Sequence, residues 1–324
     1  MRSQARRALL LATASLAFAA SSAMAADDYP TRPIRIVVPY GAGTGLDVLT
    51  RVMAQKLGEE LKTSITVENL AGSNGIIGTQ AVARAASDGY TLLATTQSHY
   101  TAGIMYKNMP YDAFKFIPVS RFGQAQLVVV SSPATGFNTV QQLVEQAKKQ
   151  PGKLSFASLG SGSSAHMAGA LFNSLAGTNL MHVPYKEASQ ALTDTMRGEP
   201  SINFVAMPTA AAQIKAGKLR ALGVTGARRS ASLPEVPTLA EAGVSGYDMV
   251  AWYALLAPEG TPQPVVQKVS AAVTRITASS EFRSMLERMG MDPMPDDAKS
   301  FAAKLPAEIA RWREIVALTD AKVS

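Results

Sequence analysis

The 324-residue chain contains no cysteine. That excludes disulfide staples, thiolate metal sites, cysteine nucleophiles, iron–sulfur clusters and a lipid-modified N-terminal Cys. Histidine is scarce, at three residues. His99, His166 and His182 lie far apart and form no His-x-x-x-His or Glu-x-x-His pair, so their spacing offers no metal site. Charge is sparse as well: 17% of residues are charged against 47% hydrophobic. Such a chain has too few charges for disorder and ample apolar material for buried cores, over a length of about two domains. Beyond residue 25 no apolar run reaches the ~18 residues of a membrane span. The basic residues are not clustered, so nucleic-acid binding finds no support.

What is present begins with Arg2, Arg6 and Arg7, followed by an apolar run from Ala8 to Ala20 and by Ala23-Met24-Ala25. Basic, apolar and small-x-small segments in this order read as a secretory signal peptide over residues 1–25, cleaved before Ala26. Its removal lowers the formal charge from +7 to +4. Secretion without cysteine points to a bacterial periplasm and no lipid anchor.

The remaining chain alternates strands, small-residue loops and helices, which predicts α/β architecture with parallel-rich sheets and helices on both faces. Ile34–Val38, Ile65–Val67 and Tyr90–Ala94 read as strands of one lobe. Leu154–Ala157, Met181–Val183, Ile202–Val205 and Leu219–Val224 read as strands of another. Leu127–Val130 carries the chain across and Val250–Leu256 carries it back, a two-strand hinge. The expected lobes are 26–124 plus 250–324, and 125–249, with a ligand cleft between them.

Candidate contacts fall on loops at the carboxyl ends of strands, where open α/β sheets hold ligands. In Tyr40-Gly41-Ala42-Gly43-Thr44-Gly45-Leu46-Asp47 the glycines admit close backbone approach, and the helix that follows presents unpaired N–H groups and a positive dipole end. Tyr40, Ala42, Gly43, Thr44, Gly45 and Asp47 are the candidates. Asp47 has a second reading, as a first-turn acid that stabilises the helix. Leu46 occupies the third position of a Gly-x-Gly-x-x-Gly pattern, so a dinucleotide site fails, and no cofactor is indicated. Gly160-Ser161-Gly162-Ser163-Ser164-Ala165-His166 repeats the device with added hydroxyls. Gly160, Ser161, Ser163, Ser164 and His166 are its candidates, with helix capping and packing as the plainer readings. Asn74, Thr96, Ser98, Tyr185 and Met207 complete the set. No Gly-x-Ser-x-Gly elbow occurs, and no Ser–His–Asp triad is singled out.

These residues bring a family resemblance with them. Val37-Val38-Pro39-Tyr40 with its glycine loop, Asp88-Gly89-Tyr90-Thr91-Leu92-Leu93, Gly160-x-Gly162-Ser163 with His166, and His182-Val183-Pro184-Tyr185-Lys186 stand in one order. Gly217-Lys218-Leu219-Arg220-Ala221-Leu222, Leu233-Pro234-x-Val236-Pro237-Thr238 and Trp252 with Leu255-x-Ala257-Pro258 continue it. The set resembles the Bug-type substrate-binding proteins of the tripartite tricarboxylate transporter family. The resemblance implies a two-lobed periplasmic binding fold of the type II, Venus-flytrap kind. It also implies no enzymatic activity, an organic carboxylate as ligand, and delivery by a monomer to one large and one small membrane subunit. Glu187 stands where the family usually has Gly, and Ser98-His99-Tyr100 replaces an Asn-Pro pair. The cleft loops hold no Arg for a trianion such as citrate, so a dicarboxylate or an aromatic acid such as terephthalate is expected. A periplasmic carboxylate sensor and, further off, a secreted hydrolase are the alternatives.

Overall fold

The structure, a computed structural model, describes residues 28–317; the expected signal peptide lies outside the described residues. β1 (Ile34–Val38) is a β-branched run with four of five side chains buried. Its loop feeds α1 (Gly45–Leu61), where the Thr44 hydroxyl accepts the Asp47 N–H and caps the helix. β2 (Ile65–Asn69), α2 (Ile76–Ala83), β3 (Thr91–Thr95) and α3 (Ser98–Met105) follow. β1 pairs in parallel with both β2 and β3.

β4 (Ile117–Ser131) is 15 residues long and serves two sheets. Residues 117–126 pair with β9 (Val250–Ala257), and Leu127 onward pairs with β7 (Ile202–Ala206) and β8 (Arg220–Val224). Between these come α4 (Val140–Lys149), β5 (Ser155–Ser158), α5 (Ser164–Ala176), β6 (Met181–Pro184), α6 (Ala188–Arg197) and α7 (Met207–Lys215). The first sheet runs β2-β1-β3-β9-β4 and the second β6-β5-β7-β4-β8. The two orders match: three parallel strands, then one antiparallel strand, then a last strand. In each sheet the antiparallel strand is the one that arrives from the other half of the fold.

The chain leaves the first sheet between Gln126 and Leu127 and returns between Met249, whose N–H donates to the Thr225 carbonyl, and Val250, which pairs with Gln126. The crossing strand is thus much longer than the sequence suggests. Pro118, Arg121, Gly123, Gln124 and Gln126 interrupt the apolar pattern of its first ten residues. β9 belongs to the first sheet alone. α8 (Gln263–Ala278), α9 (Ser280–Arg288) and α10 (Ala298–Ala317) close the fold. α10 departs from the expectation that all of 250–324 joins the first lobe. Phe301 packs with Trp252 and Tyr100 in the first core, whereas Trp312 and Ile315 are buried among second-lobe side chains. It forms a third connection, beside the two strands.

Close packing in the second lobe is tightest where α5 crosses β5. A methyl group on Gly169 would stand 2.3 Å from the Phe156 ring, and that ring is held by His182 and Phe204. Gly169→Ala is expected to cost about 1–3 kcal/mol through overpacking. A urea midpoint identical to that of the wild type would refute that reading.

Candidate ligand-binding cleft

Five helix N-termini converge between the lobes. Thr44 and Gly45 open α1, Ser98 opens α3, and Ser163 to Ala165 open α5. Ala188 opens α6, and Ala206 precedes α7. All line one cavity of about 140 Å³. Each helix start aims unpaired N–H groups and a positive dipole end outward. The rest of the wall is apolar or uncharged polar: Leu46, Leu127, Leu159, Ala191, Phe204, Val205 and Ala251, with the hydroxyls of Tyr40, Tyr253, Thr96, Ser158 and Thr209 and the amide of Asn203. Among the described residues no charged side chain lines it. The cavity therefore offers positive potential without a cation, which suits an anion with an apolar body.

Of the candidates from the sequence, Tyr40, Thr44, Gly45, Thr96, Ser98, Ser163 and Ser164 come together in this wall. Burial pushes the Tyr40 phenol up to about 12, against the opposing effect of Ser98 and Thr96, so it is neutral and able to donate. The Ser163 hydroxyl accepts the His166 N–H as cap of α5, and among the described residues no protein group accepts its own proton. Thr44 is more committed: it accepts from the Asp47 N–H and donates to the Gly41 carbonyl. Its contribution is the cap that positions the loop.

The other candidates stand outside the wall, for definite reasons. Ala42 and Gly43 are exposed on the rim. Asp47 is buried, and its carboxylate is occupied by the Gly43 N–H at 2.9 Å, by Asn69 at 2.9 Å and by Arg51 at 3.0 Å. Burial pushes its carboxyl up, but these hydrogen bonds prevail and hold it below the usual range. Its role is the structural one. Asn74 donates to the Ser161 carbonyl, 2.6 Å away across the lobes, so Asn74, Gly160 and Ser161 serve lobe contact. His166 is packed: its Nδ1 accepts the Gly162 N–H at 3.0 Å, and its ring stacks on His182 with centroids 4.1 Å apart. Tyr185 follows β6, the edge strand of the second sheet, and faces a separate surface cavity with Val183 and Glu199. Met207 is buried at the start of α7, against Gly290.

Sequence reasoning missed Ser158, Asn203, Phe204, Val205 and Tyr253. All but Ser158 sit on β7 or β9 and read as ordinary core. Ser158 Oγ lies 2.5 Å from His182 Nε2 and also accepts the Gly160 N–H. A Ser–His contact is the start of a nucleophile, but among the described residues no carboxylate orients His182, and burial lowers its pKa to about 4.

A model of the tripartite tricarboxylate transporter family receptor matches residues 49–320. The chain belongs to that family. A Rhodopseudomonas palustris protein, Rpa4515, solved with adipate, is 30% identical, with a TM-score of 0.85 over 90% of this chain and 98% of its own. The periplasmic binding protein BugD is 31% identical, with a TM-score of 0.81 over 89% of this chain and 98% of its own. MatC from Rhodopseudomonas palustris, solved with malate, is 28% identical, with a TM-score of 0.81 over 89% of this chain and 100% of its own. The receptor of the tripartite family thus has the two-lobed periplasmic binding fold. Receptors of this kind bind solutes and do not transform them.

Proposed function

We propose that this receptor captures an organic carboxylate with an apolar body in the periplasm and delivers it to the two membrane subunits of a tripartite tricarboxylate-type transporter. The observation that carries the reading is the convergence of helix N-termini and serine hydroxyls from both lobes on a cavity with no charged side chain. Donors on opposite walls suit two carboxylates, and Leu46, Leu127 and Phe204 suit the carbons between them. A dicarboxylate such as adipate or an aromatic diacid such as terephthalate meets both conditions. Citrate and malate place extra charge or a hydroxyl against an apolar wall, at a desolvation cost. The adipate and malate of the two relatives support the carboxylate class. Within the described residues the lobes are 28–126 plus 250–317, and 127–249, with the end of α10 shared, and closure turns on the crossings at Gln126–Leu127 and Met249–Val250.

A thermal-shift series with adipate, terephthalate, malate and citrate tests this reading. A ligand that binds only the folded protein at a hundred times its Kd adds about 2.7 kcal/mol of stability. Adipate or terephthalate is expected to raise the melting temperature and citrate to leave it unchanged. No shift with any acid would overturn the carboxylate assignment, and a largest shift with citrate or malate would overturn the apolar body. Ser163→Ala is expected to weaken the best ligand roughly tenfold, the worth of one charge-assisted hydrogen bond; unchanged titration calorimetry would remove Ser163 from the site.

A further inference from the structure

We infer that Gln97 sets the hydrogen-bond polarity of the closed cleft by making the Ser164 hydroxyl an obligate donor to the ligand. The inference rests on the carboxylate reading above. Gln97 immediately precedes α3 in the first lobe and is fully buried. Its Oε1 accepts the backbone N–H of Trp252 at 3.3 Å. A backbone N–H can only donate, so it fixes which way the amide faces. The Nε2 group therefore points across the lobes, where it donates to Ser164 Oγ at 2.7 Å.

Ser164 lines the cavity, and no protein group among the described residues accepts its proton. With one lone pair engaged by Gln97, the O–H is directed to the cavity. Two neighbouring contacts have the same direction. Asn74 donates to the Ser161 carbonyl and Thr101 to the Gly162 carbonyl, each at 2.6 Å. In all three the first lobe donates and the second accepts. Separation of the lobes would free Ser164 to donate or accept. Closure on Gln97 leaves it only a donor, which selects a ligand rich in acceptors over one that carries an ammonium group.

The test uses two variants of the mature chain. Gln97→Glu is isosteric: the retained oxygen still accepts the Trp252 N–H, and the oxygen that replaces Nε2 accepts the Ser164 proton, which withdraws it from the cavity. Gln97→Leu removes both contacts. Because the chain lacks cysteine, spin labels on Glu59→Cys and Thr193→Cys, exposed positions on α1 and α6, report the distance between lobes without background. Without ligand, Gln97→Glu is expected to keep the wild-type distance and Gln97→Leu to lengthen or broaden it. In calorimetry with adipate at pH 7.5, Gln97→Glu is expected to lose about tenfold or more in affinity, a loss that a purely structural role would not produce in a variant that keeps the distance. Wild-type affinity in Gln97→Glu, or a wild-type distance in Gln97→Leu, would overturn the inference. A wild-type protein that ignores adipate would count against adipate as ligand, and the two distances would then decide whether Gln97 holds the lobes.

Discussion

Acidification from pH 7 to pH 4.5 is expected to remove on the order of 5 kcal/mol of stability through the histidines alone. Three imidazoles are responsible. His99 is 4% exposed, its Nε2 donates to the Ala113 carbonyl at 2.7 Å, and its buried Nδ1 has no partner. Burial lowers its pKa to about 4. His166 must stay neutral to accept the Gly162 N–H; burial, with a contribution from His182 against its ring, takes it to about 3. His182 falls to about 4, again through burial, and adds less because it is more open to solvent. In the unfolded chain each takes up a proton near pH 6.5. Between about pH 6.5 and pH 4 the unfolded state therefore binds more protons than the folded one, and stability falls as pH falls. Urea titrations at pH 7, 5.5 and 4.5 would show the slope, and His99→Gln should reduce it. Stability that is flat across this window would mean that the histidines are not held neutral.

Arg121→Met is expected to cost about 3–5 kcal/mol, the penalty for leaving buried charges without their partner. Arg121 is fully buried in the first half of β4, and its Nε donates to Asp296 at 2.7 Å. Its guanidinium also bonds Glu308 of α10 and lies 5.0 Å from the Phe301 ring. Lys304 meets the other oxygen of Asp296. Removal of the guanidinium would leave the buried Asp296 to Lys304 alone and take the guanidinium partner from the half-buried Glu308. The triple variant Arg121→Met, Asp296→Leu and Glu308→Leu should recover much of the loss, because apolar side chains then replace the whole ionic cluster at little net cost. A loss below about 1 kcal/mol in the single variant would show that the remaining acids reach solvent.

The same arginine shows why the sequence is legible in one place and silent in another. Helices such as α4 and the strands β1 and β7 follow their apolar periods. β4 is hidden because a buried ion cluster puts Arg121 where a strand pattern wants an apolar residue. α3 escapes for the opposite reason: six of its eight residues are buried, since both lobes cover it, so no polar face marks the helix period. The glycine–serine loops are visible because backbone freedom and hydroxyls mark where a ligand or a cap is held. The walls from β7 and β9 are not, because Phe204 or Tyr253 facing a cleft is chemically the same as Phe204 or Tyr253 facing a core. Tyr185 misleads by its local context. Only the strand order, which puts β6 at the far edge, separates it from the cleft.

The exchange of strands between the two sheets also dictates an order of assembly during synthesis. All strands of the second sheet lie between residues 117 and 224, so that sheet can close as soon as this stretch is made. The first sheet, though it begins at Ile34, stays split between β3 and β4 until β9 is supplied after residue 250. The amino-terminal part of the protein is thus the last to become a complete sheet, the reverse of the usual progression from the amino terminus. A nascent chain halted between Val224 and Val250 would carry a finished second sheet and an unpaired β3 edge.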